Sequence, residues 1–413
     1  TTTSLADRAS RRLASAGRRA LSTSDSGAAI KLLERALALQ GDPTAARADI
    51  LVALGEALGK AGRLSEARSH LQEALSWAES TGDPVAQAVV NVALYYGWGE
   101  KPLIAEAAAT LVEAGLHREA AMAYRRLAYM HLGSGDLSDC LRYVDLAIAQ
   151  ATESPDRHLL ARLLAMRAWV WGLGPMPVAA AIEAIEGLLL EVVEYGSARS
   201  LVLLYLVAMY GQIGRFDDAR AAAAQSRASA LELGQPIAAA GTSHASGPME
   251  RLAGRVEAAE RELRADNEAL EAAGEQLLRS TTLGYLAHVL CDRAALDEAL
   301  ELTVEAEAIS DDEDYLSQIL WRSARARALA RRDPQAALAL AMDAVDRTAA
   351  TDILIDRGDA LLSLAEVLDA IGRPDDAAHA TEEAIVLFQA KGATAYVERA
   401  ERLLAQVVAK KAP

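Results

Sequence analysis

The sequence predicts an all-α protein, an α-α superhelix of about ten helical hairpins ended by a C-terminal capping helix. Three observations carry this. Apolar residues fill 52% of the 413 positions but aromatics only 4%, which suits helices packed closely through small side chains. Valine, isoleucine and threonine rarely alternate with polar residues, so strands have little support. One corner also recurs along the whole chain at near-constant spacing, as stacked supersecondary units require.

The corner reads as glycine or a charged residue, a few polar positions, then a small residue inside the next helix. It appears as AGRLSEA ending at Ala67, SGDLSDC at Cys140, IGRFDDA at Ala219 and AGRVEAA at Ala259. It returns as DRAALDEA at Ala299, RRDPQAA at Ala337 and IGRPDDA at Ala377. Ala29 supplies a first copy, and Ala107 and Ala180 fill the two wide gaps, so anchors lie 33 to 40 residues apart. The hairpins so defined are 1–41, 42–82, 83–116, 117–154, 155–196, 197–235, 236–274, 275–312, 313–349 and 350–392, with a capping helix over 393–410 and no linker between them. Before the corner, Leu51, Leu54, Gly55 and Leu58 recur at helical spacing; after it, Ala67, Leu71 and Ala74 share one face. Glycine ends each first helix because a left-handed cap costs it nothing, and the Asp, Glu or Ser beyond is expected to cap the second. GDP at 41–43 and 82–84 closes a hairpin, with proline entering the following helix near its first turn.

These positions resemble the tetratricopeptide repeat, best around Gly55, Ala128, Ala287 and Ala365. The resemblance implies a right-handed superhelix whose concave surface is lined mainly by first helices. The opening LADRASRRLASAGRRALSTSDSGAAIKLLERALAL (5–39) and the closing AIVLFQAKGATAYVERAERLLAQ (385–407) are similar to the ends of the repeat arm in large bacterial signalling proteins. In those, a class III nucleotide cyclase or transcription-regulator head precedes a STAND-type ATPase. The resemblance implies a sensor or regulatory arm, with catalytic parts upstream of this chain.

Composition and motifs exclude several classes. A net charge of −16 opposes nucleic-acid binding, and the basic cluster Arg8, Arg11, Arg12, Arg18 and Arg19 is spaced as the solvated face of a first helix. Arginine outnumbers lysine 36 to 6, as in a GC-rich bacterial genome. The two cysteines, Cys140 and Cys291, are far apart and suit a reducing cytoplasm without disulfide or metal site. No apolar run reaches bilayer length, and TTTSLADRAS reads as an internal start without a signal region. GEALGKAGR (55–63) fails as a phosphate loop, because its glycines are four apart and Lys60 is followed by Ala61. The seven histidines show no metal-binding spacing; His131 and His288 fall on first helices in packing roles. The acidic SDDEDY (310–315) lacks EF-hand spacing and reads as a helix start. Neither a catalytic constellation nor a cofactor motif emerges.

What stands out is an aromatic belt. Thirteen of 18 aromatics lie between Trp77 and Phe216, several on first helices of adjacent hairpins. Tyr95, Tyr96, Trp98, Tyr129, Trp169, Trp171, Tyr205 and Tyr210 are the candidate partner-binding residues, since tyrosine and tryptophan bring contact area with a polar handle. The competing role is ordinary core between hairpins. The glycine-rich corners at 97–99 and 172–175 read as longer turns. PIAAAGTSHASGPMERLAG (236–254) dilutes a first helix with glycine and proline, and reads as a flexible seam or a helix held only by its neighbours. The expected function is a non-catalytic interaction and sensing scaffold for a protein, peptide or effector. The alternative is a receptor for a sugar or metabolite, with Arg125, Arg126 and Arg167 as candidate polar contacts. Neither nucleic acid nor membrane is expected as a partner, and self-association through the exposed end hairpins is.

Overall fold

In the computed structural model, the described residues are 5–22, 25–41, 43–61, 63–94, 101–312, 314–349 and 351–410; they form helices joined by short corners and contain no strand. Tyr95, Tyr96 and Trp98 lie outside them. The helices run as consecutive hairpins. The first four are α1 (Leu5–Ser22) with α2 (Ser26–Leu37), α3 (Ala45–Lys60) with α4 (Leu64–Thr81), α5 (Pro84–Leu94) with α6 (Lys101–Glu113), and α7 (His117–Gly133) with α8 (Leu137–Glu153). Next come α9 (Arg157–Leu173) with α10 (Val178–Glu191) and α11 (Gly196–Gln212) with α12 (Phe216–Glu232). The seventh first helix is broken into α13 (Pro236–Ala240) and α14 (Ser243–Leu252), and pairs with α15 (Val256–Ala272). Then follow α16 (Leu277–Asp292) with α17 (Leu296–Ile309), α18 (Tyr315–Leu329) with α19 (Pro334–Ala349), α20 (Leu354–Ala370) with α21 (Pro374–Lys391), and the last helix α22 (Thr394–Ala409).

Packing divides the chain into two compact units. Unit 1 holds residues 1–130 and 142–160; unit 2 holds 131–141 and 161–413. In unit 1 an apolar cluster of Leu33, Ala36, Leu54, Ala57 and Ala67 joins the first two hairpins, and Leu51, Ala74, Ala78 and Val90 join the second to the third. Leu71 fills the space that a Cβ on Gly55 would need. In unit 2, Ala259, Leu263, Leu286, Ala287, Leu290, Ala299 and Ala324 form the corresponding core.

Most corners have the predicted form. Gly214, Gly254 and Gly372 take left-handed φ values of 77, 73 and 81°, and Ala294 takes the same position at 59° without glycine's freedom. The following amide then bonds back into the first helix, as Arg215 N to Tyr210 O (2.9 Å) and Arg373 N to Leu368 O (2.8 Å). The anchor residues Ala29, Ala67, Ala107, Cys140, Ala219, Ala259, Ala299, Ala337 and Ala377 are all buried. One anchor shifts by a residue: Ala180 is exposed and Ala181 is buried in its place.

Capping follows the expectation at two corners, where Asp136 accepts the Asp139 amide (3.0 Å) and Asp333 the Ala336 amide (3.1 Å), and differs at four others. At these corners the cap position is Arg63, Arg215, Arg255 or Arg373, which offers the helix no side-chain acceptor. The acidic residue sits inside the first turn, where it complements the dipole and pairs with the arginine three positions earlier: Arg63–Glu66 at 2.6 Å, Arg215–Asp218 and Arg373–Asp376 at 2.7 Å. Aspartate caps occur at other helix starts, including Asp314 in the acidic 310–315 stretch, which accepts from Ser317 N.

The glycine- and proline-rich 236–254 stretch is a broken helix fixed by its neighbours. Asp266 accepts both guanidinium arms of Arg227 (2.7 and 2.8 Å) and the Ser243 amide at the start of α14 (3.3 Å). Glu250, 3% exposed, accepts a fork from Arg220 at 2.8 and 2.9 Å. His244 Nε2 lies 2.8 Å from Thr282 Oγ1 and 3.1 Å from Leu278 O, and burial lowers its pKa to about 4. Buried polar partners therefore supply what helix propensity lacks here.

Candidate functional site

Unit 2 brings two of the predicted aromatics together. Trp169 on α9 and Tyr205 on α11 stack in parallel, with ring centroids 5.9 Å apart and planes 4° off, and both are half-buried. Two residues along α9, Trp171 lies under the Arg167 guanidinium, 5.5 Å from the ring centre. Residues two apart on a helix do not share a face, so α9 carries the aromatic stack on one side and the cation–π pair on another. Tyr210 is placed differently. It is 9% exposed, its hydroxyl donates to Glu186 Oε1 at 2.6 Å, and Arg215 covers its ring at 4.3 Å. Burial and the Glu186 carboxylate push its pKa up to about 12, so the ring is enclosed and its hydroxyl is held by a carboxylate at the surface. In unit 1, Tyr129 stands 49% exposed on α7 with Arg125 5.9 Å above its ring, while Tyr124 stacks on Tyr143.

A second feature of unit 2 is a ladder of charges across its first-helix layer. Asp292, at the end of α16, accepts from Arg251 of α14 and from Arg327 of α18 (2.6 Å); Arg327 also donates to Glu366 of α20. Burial pushes the Asp292 carboxyl up, but the two guanidiniums override it and hold it far below the usual carboxylate range. Arg327 further donates to His288 O (3.2 Å) and lies 3.3 Å from His288 Nδ1. Burial together with Arg251 and Arg327 lowers the His288 pKa well below its ordinary value, so the neutral ring accepts there. Two turns along α20 from Glu366, Asp359 pairs with Arg399 of α22 at 2.8 Å. Asp356 beside it has no hydrogen-bond partner among the described residues, and burial plus Asp359 raise its carboxyl to about 7.

The ladder was not expected from the sequence, although a signal exists. Arg251, Asp292, Arg327 and Glu366 are separated by 41, 35 and 39 residues, close to the hairpin repeat. Arg399–Asp359 at 40 and Arg227–Asp266 at 39 follow the same spacing. Aligning charges, rather than small residues, on the repeat exposes it.

The corner between α7 and α8 gathers His131, Asp136 and Asp139, with one ligand atom from each within 4.8 Å of the others. Asp136 Oδ1 accepts the Asp139 amide (3.0 Å) and its Oδ2 lies 3.1 Å from His131 Nδ1, the pattern of a helix cap buttressed by a histidine. Nearby Cys140 is buried, and burial with Asp136 and Asp352 pushes its thiol up to about 12, which suppresses nucleophilic thiolate. No described helix is long and apolar enough to cross a membrane.

No family model matches the sequence, and no curated protein matches it. Solved structures do resemble it. A Rap protein complexed with Competence and Sporulation Factor superposes with a TM-score of 0.57 at 14% identity, over 87% of this chain and 99% of that one. A human IFIT1 dimer with m7Gppp-AAAA gives a TM-score of 0.50 at 15% identity, over 94% of this chain and 89% of that one. At such identities the likeness speaks for the fold alone. What the likeness shows is the fold, a tetratricopeptide-like helical repeat of the α-α superhelix class.

Proposed function

We propose that the chain is a non-catalytic binding scaffold whose first-helix faces take up a peptide or protein segment, and that it relays occupancy to attached signalling domains. The observation that carries this is the Trp169–Tyr205 stack, left half-buried on two adjacent first helices. Aromatics that serve only as core are enclosed, as Tyr210 is. The structural likeness to a Rap protein solved with Competence and Sporulation Factor supports a bound factor on this architecture. The net charge of −16 favours a protein partner over a nucleic acid such as the one named with IFIT1.

A panel of fluorescent synthetic peptides, scored by anisotropy against the wild type and Tyr205→Ala, tests the idea. The substitution should weaken the best binders by about 10- to 100-fold while lowering the melting temperature by only a few degrees. A collapse of the melting temperature, or a panel without a binder, sinks it. The second reading, a receptor for a small polar effector, is favoured by Asp356, whose unpartnered carboxylate sits in the first-helix layer of unit 2.

A further inference from the structure

Within unit 2 the far end of the chain returns to its beginning. Lys391, the last residue of α21, is fully buried at 0% exposure. Its ammonium donates to the carbonyls of Gly174 and Met176 (2.8 Å for Met176), at the corner that follows α9 and 215 to 217 residues upstream. Asp352, two residues before α20, meets the start of α8. Its carboxylate accepts the amides of Leu137 and Ser138, each at 3.1 Å, and the Ser138 hydroxyl at 2.8 Å. Beside it, Thr351 Cγ2 occupies the space that a Cβ on Gly135 would need, so only glycine admits this approach. The last helix, α22, packs against α11 and α14 as well as against its own hairpin.

These contacts use helix-terminus chemistry. The first amides of a helix and its last carbonyls have no partner within the helix. Here an anion serves the start of α8, where the dipole favours it, and a cation serves two carbonyls of the corner between α9 and α10. Both are delivered from more than 200 residues away, and neither latch forms unless the turn closes. Burial lowers the Lys391 pKa to about 8. Each latch is a single side chain on a helix end, so its loss leaves both hairpins whole.

We propose that residues 351–409 form a releasable intramolecular clasp: Asp352 and Lys391 latch unit 2 shut and α22 covers part of the α11 and α14 faces, which open to a partner only when the latches part. The clasp deepens the binding reading, since α11 carries Tyr205, but it can be tested without any ligand. Hydrogen exchange by mass spectrometry on the full chain, with Asp352→Ala and Lys391→Met, does so. Each variant should raise exchange by about tenfold at its own latch, at the other latch and in α22. Faster exchange confined to 137–138 in Asp352→Ala, with 174–178 and α22 unchanged, would show two independent local caps and overturn the clasp. If Lys391→Met fails to give a helical circular dichroism spectrum, Asp352→Ala, at the rim, still decides. A clasp that fails this way leaves the peptide panel untouched, and the reverse also holds.

Discussion

In unit 1 the seams between hairpins are apolar, as where Leu51, Ala74, Ala78 and Val90 meet, with Arg118–Asp156 an ionic contact between hairpins (3.1 Å). In unit 2, similar alanine and leucine seams are joined by charges that step from one first helix to the next through Arg251, Asp292, Arg327 and Glu366. Apolar seams gain stability from area and tolerate small slips along the helix. A guanidinium shared by two carboxylates tolerates none, because a displaced partner leaves a buried charge unpaired. The hairpins from α14 to α20 are therefore held at one register relative to their neighbours. A precise register is what a closed turn, latched at Asp352 and Lys391, requires.

The contrast predicts unequal costs for removing one arginine. Arg327, with its side chain 8% exposed, serves Asp292, Glu366 and His288 together. Arg327→Met should lower the unfolding free energy by about 3–5 kcal/mol, read from the urea midpoint at unchanged m-value. In unit 1, Arg47 pairs with Glu73 at 2.8 Å across a more open surface. Arg47→Met should cost at most about 1 kcal/mol. Equal costs would show that the ladder is no more than a surface network.

The pH dependence sharpens the comparison, because unit 2 holds a carboxyl that its fold prefers protonated. Asp356 acts electrostatically on Tyr285 of α16, Tyr315 of α18 and Tyr396 of α22 and is itself affected by Asp359 on its own helix, with Arg399 engaged by Asp359. Its pKa is raised to about 7 from an ordinary 3.8. A raised folded-state pKa contributes stability that is present below about pH 4 and lost as pH climbs through about 7. Asp292 runs the opposite way, since its lowered pKa costs stability only as acid is added. Comparing wild type with Asp356→Asn isolates the first effect. The variant should gain on the order of 2–4 kcal/mol relative to wild type between pH 4 and pH 8; parallel stability curves would remove Asp356 from the interior.

How much of this was legible beforehand follows from distance along the chain. The hairpins, their corners and the small anchors were readable because each depends on residues within one repeat, such as Gly254 and Ala259. Small errors arose where two alanines competed, as at Ala180 and Ala181. The seam at 236–254 was visible as weak helix, but not its resolution, because Asp266 acts from the paired helix α15 and Arg227 from the preceding hairpin. The latches were invisible, since nothing local marks Asp352 or Lys391 as partners of residues some 215 positions away. Among the candidate site residues, composition identified aromatics but could not separate Tyr205, stacked and half-buried, from Tyr210, buried on Glu186.

The smallest expected effect returns to unit 1 and tests whether exposure distinguishes a contact surface from core. Tyr129 is half exposed, and its ring is touched by Arg125, whose guanidinium gains little from a ring already bathed in water. Tyr129→Ala should therefore change the unfolding free energy by no more than about 0.5 kcal/mol. Tyr210→Phe, which removes only a hydroxyl, should cost more, about 1 kcal/mol or above, because it strips Glu186 of a short hydrogen bond. An ordering in which the larger deletion is the milder one arises only if Tyr129 lies on a surface and Tyr210 within a core. The reverse ordering would place Tyr129 in the packing of unit 1 and confine the candidate binding face to α9 and α11.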